Sequence, residues 1–353
     1  MSEDIIKGRG AQLNTRNKFL KREFVTEHLE GIDEEFEANP KTTYYIDSPK
    51  KIINKIESPD LRGMYSMNPY QGCEHGCIYC YARNTHTYYG FSAGIDFEQK
   101  IIVKVNAAKV LEEAFDKKTW VPNPIMLAGN TDIYQPAERK HKITRQLLEV
   151  FLKYRNPVSM ITKNSLILRD IDLIKELASL DLVHVNVSIT SLSEETRLAL
   201  EPRTATAKQR LKVVSELSSA GIPVNVMIAP IIPSLTCHEI PEIMKHVADA
   251  GALSAAYTIV RLNGQIGEIF TDWIRKAYPD RAERVLHQIK DIHGGTLNDS
   301  QFGRRMSGEG KYAEAIALLF RIAKEKYLKG RIYPALSTEH FKRPEKGQLF
   351  LFS

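Results

Sequence analysis

Five short apolar runs recur through the middle of this chain, and their spacing is what most limits the folds open to it. They are PIMLAGN (124–130), VSMITKN (158–164), LVHVNVSIT (182–190), IPVNVMIAPIIP (222–233) and ALSAAYTIVRL (252–262). Each is rich in β-branched or aliphatic residues and nearly continuous in hydrophobicity, as a strand buried on both faces is. Between them lie helical patterns: ITRQLLEVFLKY (143–154), RDIDLIKELASL (169–180), TAKQRLKVVSELSSAG (206–221) and CHEIPEIMKHVADAG (237–251), the last two closed by glycine. Strand alternating with helix predicts βαβ units on a parallel sheet, closed as a barrel or doubly wound, with ligands at the carboxyl ends of the strands. The polar stretch before residue 64, which includes GIDEEFEANPKTTYYIDSPKK, has no steady periodicity and reads as an extended lead-in with one short helix. The division expected is an N-terminal extension (1–63), an α/β core (64–265), a helical C-terminal extension (266–340) and a tail (341–353).

A chain of 353 residues with 43% hydrophobic residues can bury one large core or two modest ones. Its first residues, MSEDIIKGRG, lack the basic-then-apolar pattern of a secretory signal, and no apolar run approaches the ~18 residues that span a bilayer. The expectation is a cytoplasmic protein with no membrane partner. Residues 301–353 carry 11 Lys and Arg against 5 Glu and no Asp. That segment is a candidate surface for a polyanion such as DNA, although on charge alone a solvated basic helix and loop is the simpler reading.

Three of the four cysteines crowd into NPYQGCEHGCIYCYARN (68–84) as Cys73, Cys77 and Cys80. Clustered cysteines in a reducing compartment point to metal or redox chemistry rather than to disulfides. Two readings stand side by side. A zinc site would need a fourth ligand from His75, His86 or Cys237. A cubic iron–sulfur cluster would take one thiolate on each of three irons and leave the fourth open to a reactant.

The stretch CEHGCIYC (73–80) resembles the C-x3-C-x-aromatic-C signature of the radical S-adenosylmethionine (radical SAM) superfamily, with Tyr79 in the aromatic position. The resemblance implies a partial TIM-type (βα)6 barrel in which Cys73, Cys77 and Cys80 hold a 4Fe-4S cluster and SAM occupies the open iron. Electron transfer then splits SAM into methionine and a 5′-deoxyadenosyl radical that takes hydrogen from a substrate, the electron coming from a donor such as flavodoxin or ferredoxin. In such proteins a polar motif ending the second strand binds the SAM amino group; here AGNTD stands there, making Gly129, Asn130, Thr131 and Asp132 candidates, though it departs from the usual Gly-Gly-Glu. Along the fourth strand Asn186, Ser188 and Thr190 share one face by period-two alternation, which suits a ribose or a polar layer with internal partners. After it, Arg203 could pair with the SAM carboxylate or form an ordinary ion pair.

Within the superfamily the chain resembles spore photoproduct lyase and DNA repair photolyase-like proteins over roughly residues 60–260, most clearly in GNTDIYQPAER, LEPRTAT and AGIPVNVMIAPIIPSLT. That implies a lyase-type enzyme acting on a DNA lesion. A lesion-repairing lyase returns hydrogen through a further cysteine; Cys237 is the spare one, and Tyr134 and Tyr257 are candidate radical relays. The alternatives are a radical SAM enzyme on a peptide or RNA, and a zinc- or cluster-stabilised nucleic-acid-binding protein without catalysis. Finally, QLFLF near the end resembles the bacterial sliding-clamp binding motif, with Gln348, Leu349, Leu351 and Phe352 as its contacts and Phe350 as the departure.

Overall fold

A computed structural model of the chain describes residues 6–17, 19, 42–61 and 64–344. Six parallel strands form its frame: β1 (Tyr65–Met67), β2 (Ile125–Leu127), β3 (Val158–Thr162), β4 (Val183–Ser188), β5 (Val224–Ile231) and β6 (Ser254–Ile259). They pair in sequence order, with Asn54–Lys55 antiparallel on the outer edge of β1. The array has two edges among the described residues and is therefore an open, partial barrel of the TIM type.

Alternation along the strands decides what each face meets. Val183, Val185 and Val187 of β4 are buried in one apolar core with Val224, Val226 and Ile228 of β5. The same core takes in the inward stripes of α2 (Ile143–Tyr154), α3 (Ile171–Ala178), α4 (Ala207–Ser219) and α5 (Ile240–Asp249); α1 (Ala107–Asp116) joins it through Val110, Leu111 and Phe115. Each fully buried Leu, Ile or Phe contributes about 1.5–3 kcal/mol. A Thr206–Gln209 capping box starts α4 where the sequence places it. α3 and α5 start later than their patterns suggest, because short 3-10 turns over Ser165–Asp170 and Cys237–Glu239 precede them.

The flanks pack against this frame. A second small sheet joins Thr43–Asp47, Lys100–Lys104 and Tyr70–Gln71, ending two residues before Cys73. Beyond the barrel come α6 (Ile266–Ala277), α7 (Ala282–Ile292) and the 19-residue α8 (Gly310–Leu328). Among the described residues no helix is long and apolar enough to cross a membrane.

Candidate active site

The three-cysteine loop leaves the small sheet and crosses the carboxyl end of β1. Gly72 and Gly76 adopt φ of 80° and 69°, which turns the backbone around the cysteines without a Cβ penalty. The loop is tied down by Cys73 N–H to the Phe97 carbonyl (2.8 Å) and Ile78 N–H to the Leu200 carbonyl (3.0 Å). Beneath it Arg83, fully buried, donates to the Cys77 carbonyl at 3.0 Å and to Glu98 at 2.6 Å. Glu98, buried too, also accepts the backbone N–H groups of Gly10 (3.1 Å) and Ala11 (2.8 Å). Gly10 lies so close to the loop that a Cβ there would collide with the Gly76 carbonyl oxygen. The GRG segment expected to be a loose lead-in is thus part of the cluster platform.

All four cysteines are free thiols. Burial, then the Glu201 carboxylate, push the Cys77 thiol up, with Cys80 and Cys73 adding to the effect against the Lys163 ammonium. Burial and Cys73 raise Cys80 in the same way. Buried thiols such as Cys77 and Cys80, which resist ionisation alone, are donors suited to a cationic metal group. Among the described residues no three or more His, Cys, Asp or Glu side chains are gathered tightly enough to hold a single ion, as a Cys3His zinc site would require. A cluster that spreads its thiolates one per iron fits this donor set.

The end of β2 faces the loop across a hydrogen-bond lattice. Thr131 and the Gln135 amide both donate to the Gly72 carbonyl, at 2.9 and 3.2 Å, and Gln135 accepts from Glu74 N–H at 2.9 Å. Asp132 accepts from Thr162 (2.8 Å) and Lys163 N–H (2.7 Å) and lies 3.3 Å from His75. Burial opposes the charge on His75, but Asp132 and Cys73 raise it to about 9. Just before, Ala128 holds φ of 94°, a conformation that L residues rarely adopt and that marks functional turns.

The end of β4 carries a second lattice around Glu201, which has no solvent exposure. Its carboxylate accepts from Thr190 (2.6 Å), Tyr79 and Arg210. Arg210 continues to the Ser188 carbonyl (3.0 Å) and the Thr204 hydroxyl (2.5 Å). Lys163 lies with its ammonium 5.9 Å from the Tyr79 ring centre. Sequence reasoning passed over Lys163 and Arg210, since neither belongs to a spacing motif. Lys163 sits where the ends of β3 and β4 meet the cluster loop, a place for a cation to meet a carboxylate of a bound cofactor.

The family model of the radical SAM superfamily matches residues 67–247, which hold the three cysteines, both lattices and strands β2 to β5. The chain belongs to the radical SAM superfamily. It is a radical SAM enzyme with a 4Fe-4S cluster and SAM as cofactors. An uncharacterized protein of Mycobacterium tuberculosis is 33% identical over 238 residues, spanning 67% of this chain and 70% of that one. Another, of Methanocaldococcus jannaschii, is 27% identical over 239 residues, 68% of this chain and 85% of its own. Among solved structures, spore photoproduct lyase complexed with dinucleoside spore photoproduct aligns with a TM-score of 0.59 and 17% identity over 86% of each chain. A cysteine-to-serine mutant of that lyase aligns with a TM-score of 0.58 and 18% identity, again over 86% of each chain. These two likenesses are of fold.

Against this radical SAM frame the expected residues fall into groups. Cys73, Cys77, Cys80, Tyr79, Thr190 and the 129–132 motif converge at the mouth, with Asn130 N–H held by Asn68 at 2.7 Å. The Thr131 side chain is spent on the cluster loop and that of Asp132 on Thr162, Lys163 and His75, while Asn68 holds the Asn130 N–H and Tyr81 the Gly129 carbonyl, which leaves the Asn130 side chain to face SAM. Asn186 bonds within the barrel, to Ser159 (3.2 Å), the Met160 carbonyl (2.9 Å) and Asn225 (2.8 Å), as a polar layer does. Arg203 lies 3.5 Å from Glu74 of the cluster loop, an ordinary ion pair, and its backbone N–H donates to the His75 carbonyl at 3.2 Å. Tyr257 faces away from the mouth, its ring 4.6 Å from Phe320 of α8, which makes it a packing residue. Tyr134 is wholly buried in the main core. Cys237 lines a cleft against Ile316 and Leu319 of α8. Gln348, Leu349, Leu351 and Phe352 lie outside the described residues.

Proposed function

We propose that this radical SAM enzyme acts on a nucleic-acid strand, a DNA lesion being the substrate that the likeness in fold to spore photoproduct lyase suggests. The cluster and SAM, when bound, supply a 5′-deoxyadenosyl radical that takes a hydrogen atom from the substrate. The chain's part is to place that substrate, and the supporting observation is a cation with no ion-pair partner among the described residues beside a half-exposed aromatic ring at the mouth. Tyr81, next to Cys80, is half-exposed and bonds to the Gly129 carbonyl. Tyr81 and Asn84 share a face of the 3-10 helix, and Asn84 grips the Asn263 carbonyl (2.8 Å) and Gln265 N–H (3.1 Å) just beyond β6. This draws Arg261 in beside Tyr81. Burial, and then Arg305 close by, push the Arg261 pKa down, and among the described residues no carboxylate forms an ion pair with it.

The segment around residues 299–308 completes the rim: Met306 accepts from Ile259 N–H at 2.9 Å, Arg305 pairs with Asp60 at 2.5 Å, and its guanidinium lies 4.4 Å from the centre of the half-exposed Phe302 ring. Exposed rings beside arginines suit bases and phosphates of a strand. The test is anisotropy of a labelled single strand of about 16 nucleotides with the reconstituted enzyme. Arg261→Gln should weaken binding several-fold and lower the salt slope by about 0.7, with reductive SAM cleavage retained. Unaltered binding, or binding only to a peptide, removes the reading.

The tail extends the same proposal to a partner. Arg343 donates to the Phe115, Lys117 and Trp120 carbonyls, each at 3.0 Å, fixing the chain beside the start of β2, at the opposite end of the barrel from the cluster. QLFLF follows this anchor. A peptide of roughly the last twelve residues should bind a bacterial sliding clamp with micromolar affinity, the tether raising its effective concentration in the full chain. Binding should vanish when Leu351 and Phe352 become Ala; absence of any wild-type binding dismisses the motif.

A further inference from the structure

Beside the cluster loop lies a basic patch to which the site described above assigns no part. The helix Ala137–His141 ends in Arg139, Lys140 and His141, and Lys142 follows; Arg139, Lys140 and Lys142 are exposed. None of these three is in an ion pair with a carboxylate among the described residues. The nearby acids are already committed. Glu138 is buried against Arg169 at 2.7 Å, and Glu74 is buried beneath Arg203. What the face offers to solvent is positive charge.

This patch touches the cluster loop through one short chain of contacts. The Lys140 ammonium lies 5.5 Å from the centre of the Tyr44 ring, and the His141 ring packs edge-on to Tyr44 at 5.2 Å. Tyr44 donates to Glu74 at 3.3 Å, and Glu74 directly follows the cluster ligand Cys73. Arg203 meets the same carboxylate at 3.5 Å. Lys140 of the exposed cations is thus linked through two side chains, Tyr44 and Glu74, to the residue beside the cluster ligand Cys73. A protein bound there would approach the cluster loop through Tyr44 and Glu74.

We propose that the surface of Arg139, Lys140 and Lys142 around Tyr44 docks a small acidic flavin or iron–sulfur protein that delivers the electron for SAM cleavage. One electron leaves the donor's reduced centre and enters the cluster, which passes from the 2+ to the 1+ state; no proton or group moves. Complementary charge raises the encounter rate and is screened by salt. The proposal rests on the radical SAM chemistry and is independent of the nucleic-acid reading.

The experiment compares two reductants, dithionite and a reduced acidic flavodoxin regenerated by its reductase and NADPH, on wild type and on the Arg139→Glu, Lys140→Glu double variant. Flavodoxin-driven formation of 5′-deoxyadenosine should fall about tenfold at low salt, while the dithionite-driven rate stays unchanged. Direct titration of flavodoxin onto the enzyme should show a matching loss of affinity in the variant. In wild type the affinity should weaken steadily with added salt. Equal flavodoxin rates and affinities in the two proteins would overturn the proposal. So would loss of oligonucleotide binding in the variant with donor binding intact, which would give the patch to nucleic acid. Failure of dithionite to cleave SAM in wild type would instead strike the radical SAM reading itself.

Discussion

Cys77→Ala protein, reconstituted anaerobically with iron and sulfide, should be nearly colourless and form no 5′-deoxyadenosine, where wild type is brown with about four iron per chain. The substitution removes one of three thiolates and leaves the support of the loop in place, because Arg83 holds the Cys77 carbonyl and not its sulfur. Ile78, next along, keeps its backbone bond to Leu200. The variant should therefore be soluble, with far-ultraviolet circular dichroism like that of wild type and the visible charge-transfer bands lost. Iron counts near the wild-type value, or SAM cleavage at a comparable rate, would show that Cys77 is not a ligand and return the loop to another metal or to none.

The barrel was readable in the sequence because its signals are local. Five of the six parallel strands lie inside apolar runs, and α2 spans the residues of its periodic pattern, since burial on one face imposes a period that nearby residues display. β1 went unseen: three residues, Tyr65–Met67, are too few to show a pattern. The cysteine spacing was legible for the same reason of proximity. Other parts of the site depend on contacts that no period encodes. Gly10 reaches Gly76, Asn84 reaches Asn263, and Lys163 meets Tyr79 only once strands and loops are assembled. The polar row on β4 shows the limit most clearly. Alternation correctly put Asn186 inside the barrel, yet only the neighbouring strands reveal that Ser159 and Asn225 already occupy its hydrogen bonds.

Glu201→Gln should be the most destabilising single polar substitution at the mouth, because it removes the charge that balances Arg210 at a site with almost no access to water. Leaving one partner of a buried ion pair uncompensated costs about 3–5 kcal/mol. The fall in Tm should be roughly 6–20 °C, taking 2–4 °C per kcal/mol for a chain of this order. The pH dependence supplies an independent check. Burial would raise the Glu201 pKa, but Arg210, then Lys163 and the hydroxyls of Thr190 and Tyr79, bring it down from 4.5 to about 2. A carboxylate depressed in the folded state contributes stability that is fully present above its unfolded pKa and is lost as pH falls through that value towards the folded one; the contribution here is on the order of 3 kcal/mol. Wild type should accordingly lose stability between about pH 5 and pH 2, and the Gln variant, lacking this group, should show a shallower slope over the same interval. Apoprotein is the material to use, since acid would strip the cluster and mask the effect. A variant whose Tm at neutral pH matches wild type, with the same acid slope, would mean that Arg210 finds another partner and that the lattice joining Tyr79, Thr190 and Arg210 does not depend on Glu201.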